Sequence, residues 1–290
     1  MFIIIYILLI IFTNTTALAQ SNLDLYTPKN TLRFADYLFN LNEYSRAASE
    51  YERYSFLSED GADSIHFKIG LCYYYINKYD KSFEQWEKVE FLNRNSKICS
   101  EISFYTSYIY YKQHSYELSI SEIIKNQKIC LQSQNKDKSM LLLFANQLTL
   151  RDWTGAENIL DNYIFNSQYS NNLNSFRNYL EEGKQIKSKN KIMALFFASV
   201  VPGSGKFYVG RKIDGFVSLF LLSLTTWQAY DGFSNDNVTS TKGWIFTGIG
   251  SVFYLGNIYG SAVAVNIYNE ENKHVYNKKI ELELHKAFNH

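Results

Sequence analysis

The sequence predicts an all-α chain, an array of helical hairpins followed by a membrane domain of two or three helices. Three observations carry this expectation. An aromatic residue followed three positions later by a small one recurs four times, as Tyr44 with Ala47, Tyr79 with Ser82, Tyr116 with Ser119 and Trp153 with Ala156, the aromatics lying 35, 37 and 37 residues apart. A period in the middle thirties marks stacked helix pairs. Only two prolines, Pro28 and Pro202, occur in 290 residues, and an internal proline costs a helix about 3 kcal/mol, so the interval between them is open to long helices. Charged residues nearly vanish from 192 to 269, where apolar, glycine-containing stretches take over.

The chain begins with an apolar run, Met1 to Phe12, and the polar stretch after it ends in Ala17-Leu18-Ala19 before Gln20. That order is expected of a secretory signal, residues 1–19, cleaved after Ala19. The basic residues usual at the start of a signal are missing, which keeps an uncleaved anchor as the alternative, although the run is shorter than the roughly 20 residues of a span. A net charge of +1 offers no field for nucleic acid. The three cysteines, Cys72, Cys99 and Cys130, form no CxxC pair and no Cys/His cluster, so neither metal nor another cofactor is expected. Cys72 reads as a small buried apolar residue, and a Cys99–Cys130 disulfide is left open.

The array is expected over 22–173. Aligning its four units on the aromatic places Ala35, Gly70, Ser107 and Phe144 nine residues before it, and Tyr51, Trp86, Ile123 and Leu160 seven after. Small residues thus fall where helices must approach closely, and large apolar ones share their face at helical spacing. Polar clusters at 41–43, 77–78, 113–115 and 151–152 mark the turns.

This pattern resembles the tetratricopeptide repeat family, with unit two the best match: Gly70-Leu71-Cys72-Tyr73, Tyr79-Asp80-Lys81-Ser82-Phe83, then Trp86. The resemblance covers roughly 30–165 and departs from the pattern at Phe144 and in the missing closing proline. It implies a concave face lined by the first helix of each pair. Phe67, Leu71, Tyr74 and Tyr75 from unit two and Phe104, Tyr108, Tyr111 and Lys112 from unit three are the expected partner-binding residues, because aromatics anchor binding surfaces. Burial of several of them between repeats is the competing expectation.

Residues 174–191 read as a solvated linker helix with a thin apolar stripe, Phe176, Leu180 and Ile186, ending in Lys184, Lys187, Lys189 and Lys191. Their place before an apolar segment favours lipid headgroups. The membrane domain is expected over 192–268. Its first stretch, 192–201, spans ten residues; the second runs 213–230 and the third 244–267, with Trp227, Tyr230 and Trp244 near the ends as interfacial aromatics are. Gly248, Gly256, Gly260 and Ala264 form a small-residue stripe for helix packing, by the preceding helix or, as a homo-oligomer, by a second copy. Three crossings are favoured. With the repeats outside, they place Arg211 and Lys212 inside, as the positive-inside rule asks, but leave 184–191 outside.

Pro202-Gly203-Ser204-Gly205-Lys206 lacks the early Gly and the Ser or Thr after Lys that a phosphate loop needs. Pro202, Gly203, Gly205, Tyr208, Gly210, Arg211 and Gly215 instead resemble a small membrane-hairpin domain of exported bacterial proteins, and the resemblance implies a membrane location without a reaction. The tail, 269–290, is expected to form a short amphipathic helix on Val275, Ile280, Leu284 and Phe288. The five histidines pair with no metal or nucleophile partner, so no enzyme is expected. The functional expectation is an exported scaffold of the cell envelope. Its repeats, outside the cytoplasm, bind a protein or peptide, and its hairpin holds it in membrane lipid. An accessory factor for membrane-protein assembly, insertion or transport is the alternative.

Overall fold

The computed structural model describes residues 27–58, 62–89, 97–129 and 135–288. The expected signal segment and Cys130 lie outside them. Every regular element among the described residues is helical. The chain divides into two compact units at Leu150/Arg151.

The first unit is a run of helical hairpins: α1 (Pro28–Asn40) with α2 (Tyr44–Leu57), α3 (Ala62–Tyr75) with α4 (Tyr79–Glu87), and α5 (Lys97–Lys112) with α6 (Tyr116–Ile129), followed by α7 (Lys136–Leu150). Thr27 opens α1 by accepting the Asn30 N–H, with Pro28 in the first turn, where its missing N–H costs nothing.

All three hairpins turn in the same way. Asn42, Asn77 and His114 adopt left-handed φ of 62°, 58° and 59°. The N–H of the following residue then reaches back to the first helix, Glu43 to Leu38 O at 3.0 Å, Lys78 to Tyr73 O at 2.9 Å and Ser115 to Tyr110 O at 2.9 Å. These bonds satisfy carbonyls that a helix end would otherwise leave open.

The aligned small residues sit where the helices touch. Ala35, Gly70 and Ser107 are buried, as are Ala47, Ser82 and Ser119. A Cβ on Gly70 would lie inside the Trp86 indole, whose Nε1 donates to Phe67 O at 3.2 Å. The departure at Phe144 has a local reason. Residues 139–146 of α7 are buried on every face, so the larger ring fills a core position there. Within this helix Asn146 donates to Ser119 Oγ at 2.9 Å and to Leu142 O at 2.8 Å.

The second unit contains α8 (Trp153–Asn162), a 3₁₀ turn (Ser167–Tyr169), α9 (Ser170–Gln185), α10 (Lys191–Val200), α11 (Ser204–Tyr208), α12 (Lys212–Asp236), a second 3₁₀ turn (Asn237–Thr239) and α13 (Thr241–Phe288). Arg151, with φ 61°, repeats the left-handed residue two positions before the aromatic, and Asp152 caps α8 by accepting the Gly155 N–H at 3.0 Å.

Helix α13 departs from expectation. Its 48 residues run without a break from the third apolar stretch through the whole described tail, about 70 Å at 1.5 Å per residue. It is long and apolar enough to cross a membrane, by length and composition. The tail is therefore no separate helix. Its buried face is Tyr276, Ile280, Leu284 and Ala287, while Val275 points outward.

That face packs on α9. Tyr276 donates to Tyr179 O at 2.8 Å, Lys279 pairs with Glu182 at 2.5 Å, and Asn172 donates to Glu283 Oε1 at 2.9 Å. A Cβ on Gly183 would strike the Tyr276 hydroxyl and the Trp153 ring. Helix α9 is thus not a solvated linker: Phe176 and Leu180 are buried, and it ends at Gln185.

Candidate partner and membrane surfaces

In the first unit the eight residues expected to bind a partner cluster but are not all open. Tyr74, Phe104, Tyr108 and Tyr111 are buried; Phe67 and Leu71 are half-buried; Tyr75 is 42% exposed and Lys112 is exposed. The aromatic density itself explains the burial, because the rings stack on one another. Tyr74 meets Tyr75 edge-on at 5.2 Å, and Phe104, Tyr108 and Tyr111 form a ladder with stacked spacings of 6.1 and 6.4 Å. Tyr75 also stacks on Tyr44 at 4.5 Å.

Lys112 sits above this floor, its ammonium 5.3 Å from the Tyr74 ring centre, 5.6 Å from Tyr108 and 5.7 Å from Tyr79. Three ring faces attract one cation. The accessible part of the cluster is therefore Tyr75, Leu71 and Lys112 over an aromatic floor.

The sequence reading missed the hub of this floor. Tyr105 lies 5.0 Å from Tyr74, 5.5 Å from Phe104, 6.2 Å from Trp86 and 6.5 Å from Phe67. Its position in the repeat carries Arg33, Lys68 and Leu142 in the other units, so no periodic signal marks it. Burial pushes the phenols of Tyr74 and Tyr105 well above their ordinary range, with neighbouring tyrosines adding to the shift. Both remain neutral donors at any physiological pH.

The second unit is inside out across α10, α12 and α13. Ala194, Ala198, Gly205, Gly215, Gly232, Gly243, Ser261 and Ala264 are buried, whereas Ile192, Phe196, Ile213, Phe216, Phe220, Trp227, Trp244, Val252, Leu255 and Tyr259 face outward. An exposed apolar belt of this extent needs an apolar surrounding.

The Pro202–Gly215 motif is the folding device of this region. Gly203 takes φ 87°, and a Cβ there would collide with Gly215 O. A Cβ on Gly205 would meet Ala194 O and Ser261, and one on Gly215 would meet the Phe207 ring at 2.6 Å. Gly210, at φ 81°, needs glycine for its backbone alone. Arg211 pairs with Asp214 at 3.1 Å, and the Tyr208 hydroxyl accepts the Asn190 N–H at 3.2 Å.

These contacts trace the path of the chain. Lys189 and Asn269 exchange two hydrogen bonds, Lys189 N–H to Asn269 Oδ1 at 2.8 Å and Asn269 Nδ2 to Lys189 O at 3.0 Å. Helix α10 then descends beside α13, so that Asn257 Nδ2 donates to Ala198 O at 3.1 Å and its Oδ1 accepts the Gly203 N–H at 3.0 Å. After Gly203 the chain climbs again: Gly205 reaches Ser261, and Val209 joins Ala194, Ala264 and Val265. Helix α12 descends a second time, placing Thr225 against Gly250 and Gly232 against Gly243.

The first apolar stretch accordingly doubles back at Gly203, a path different from the straight run that three crossings require. Ten residues of α10 span about 15 Å, half of a bilayer core. The packing stripe is corrected. Only Gly260 and Ala264 touch neighbours, and those lie on α10 and α11; Gly248 and Gly256 have nothing near the position of a Cβ. Helix α12 instead packs on Gly243 and Gly250. The informative spacing was seven, through Gly243, Gly250, Asn257 and Ala264, the period of near-parallel helix packing.

Two shallow crevices of about 550 and 520 Å³ flank Tyr254, lined by Leu222, Thr226 and neighbouring residues of α12 and α13. Among the described residues no group of three or more His, Cys, Asp or Glu side chains is placed to hold a metal. Compared with known proteins, the chain matches no family model, no curated protein and no solved structure.

Proposed function

We propose that this protein is a membrane-anchored interaction scaffold of the cell envelope. Its tetratricopeptide-like hairpins take a protein or peptide partner on the face of Leu71, Tyr75 and Lys112. The observation that carries the reading is α13, whose membrane-length half continues without interruption into the tail that packs on α9. One element is both anchor and structural support.

The test is photo-crosslinking of the full chain in native membranes, followed by mass spectrometry. Tyr75→Ala with Lys112→Ala should remove a specific crosslinked partner while the chain stays folded and membrane-bound. An unchanged partner list refutes the assigned face.

Two features pull the orientation apart. The apolar run ending in Ala17-Leu18-Ala19 supports repeats outside the cytoplasm. The doubling back of α10–α11 supports the opposite, because it leaves Lys187, Lys189, Lys191, Arg211 and Lys212 together at the α9 end of the second unit, where the positive-inside rule asks for cytoplasm. Labelling of Ser188→Cys in intact cells by an impermeant maleimide decides between them. The crevices beside Tyr254 support a second role, an accessory factor in which the hairpin receives a client helix. Replacing 191–268 by an unrelated anchor should abolish that role and spare a scaffold.

A further inference from the structure

The membrane unit has two chemically different rims. At the α9 end Lys187, Lys191 and Lys212 are exposed, and none of them, nor Lys189, has a carboxylate within ion-pair distance among the described residues. Lys189 is held in place, its ammonium 4.6 Å from the Tyr208 ring centre and 5.9 Å from Tyr268, and its backbone is locked to Asn269. On the far rim, 231–242, the only cation is Lys242, already neutralised by Asp231 at 2.6 Å, and Lys242 in turn holds the Asp231 carboxyl below its usual range. The basic rim passes straight into the apolar belt, Lys191 into Ile192 and Lys212 into Ile213, both outward-facing. Tyrosines at such a boundary sit at headgroup level.

We propose that this rim is a collar for anionic phospholipid, and that α10–α11 dips into the same leaflet and returns from it. Helices α12 and α13 are then the two crossings, and the α9 side and the C-terminal tail share one face of the bilayer. The proposal rests on the membrane reading above. Phospholipid is favoured over a protein ligand because the cations border the apolar belt without an intervening polar surface. A bound polypeptide would have to lie where lipid lies. The tyrosine rings fix Lys189 but leave its charge uncompensated, as a phosphate site requires.

Two measurements on the full-length chain test it. Native mass spectrometry in detergent compares phosphatidylglycerol with phosphatidylcholine. Phosphatidylglycerol should bind about tenfold more tightly, and each of Lys187→Gln, Lys189→Gln, Lys191→Gln and Lys212→Gln should cost up to about fivefold. Lys242→Gln on the far rim should change nothing. Equal binding of the two lipids, or a preference that survives the quadruple variant, overturns the collar. In proteoliposomes, Ser188→Cys and His274→Cys should label from one side and Ser234→Cys from the other. Labelling of Ser188→Cys and His274→Cys from opposite sides overturns the dip. Release of the chain by alkaline carbonate would remove the membrane reading itself. Retention without lipid preference removes only the collar.

Discussion

The Tyr79 phenol donates to Asn77 Oδ1 at 2.8 Å across the hairpin turn in which Asn77 is the left-handed residue. Tyr44 makes the same bond to Asn42 at 2.6 Å, and the Tyr116 hydroxyl lies 2.9 Å from His114 Nδ1. The recurring aromatic thus both packs the hairpin and ties down the turn before it. Trp153, which follows Arg151, has no hydroxyl to do so.

The turns therefore differ in strain. A left-handed conformation costs an ordinary L residue about 1–2 kcal/mol, and Asn tolerates it best after Gly. His114→Gly should stabilise the α5–α6 hairpin by about 0.5–1 kcal/mol after the added entropy of the unfolded chain is deducted. Amide hydrogen exchange at 113–119 should slow about two- to fivefold. Asn77→Gly should gain less, because asparagine already tolerates the left-handed conformation, and each variant gives up the contact with its tyrosine.

Gly70 and Trp86 form a matched pair in which the indole occupies the place of a Cβ. Gly70→Ala should destabilise the first unit by about 1–3 kcal/mol through overpacking. Adding Trp86→Leu should recover part of the loss, read as resistance of the α3–α4 hairpin to limited proteolysis. Additive losses would show that the clash is not the cause.

Cys72 is buried and free, and burial pushes its thiol up to about 12. An unfolded thiol ionises near 9. Proton binding thus favours the folded state, and this contribution is complete below pH 9 and is lost as pH rises from 9 to 12. Cys72 should resist a thiol reagent at pH 8 and react once the first unit is unfolded in urea. Reaction in the native chain at the rate of a free thiol would contradict the burial.

The docking of the tail on α9 sets where the chain can be cut. A fragment ending at residue 190 loses Tyr276, Ile280 and Leu284, which pack on the α9 side that buries Phe176 and Leu180. It should aggregate or lose exchange protection in α9. Restoring 270–288 through a flexible linker should recover both.

The array was legible in the sequence because its signal is repeated. The eight aligned small positions, apart from Phe144, are small for one reason, the close approach of helices, and each is buried. The contents of its surface were not, because spacing assigns a residue to a helix face without saying which neighbour covers that face. Tyr74 and Tyr108 share the predicted face with Tyr75, yet only Tyr75 remains open.

In the membrane unit the apolar stretches located the helices. The path between them depended on single polar contacts that no period announces. Asn257, 3% exposed in an apolar helix, holds both Ala198 O and the Gly203 N–H. An asparagine midway along such a stretch was the available signal for the turn-back. Asn257→Leu should cost about 1–2 kcal/mol and loosen α10–α11 specifically, seen as new protease sensitivity near Gly203 in detergent.

An uninterrupted α13 also has a mechanical meaning. With no loop between Thr241 and Phe288, the helix has no joint at which a change of angle could be absorbed. It is a stiff lever, pinned where Asn269 grips Lys189. A partner that pushes on the tail must tilt the buried arm by the same angle or break the α9 contacts. On the membrane reading proposed above, a force on the tail is carried along this single helix into its apolar half.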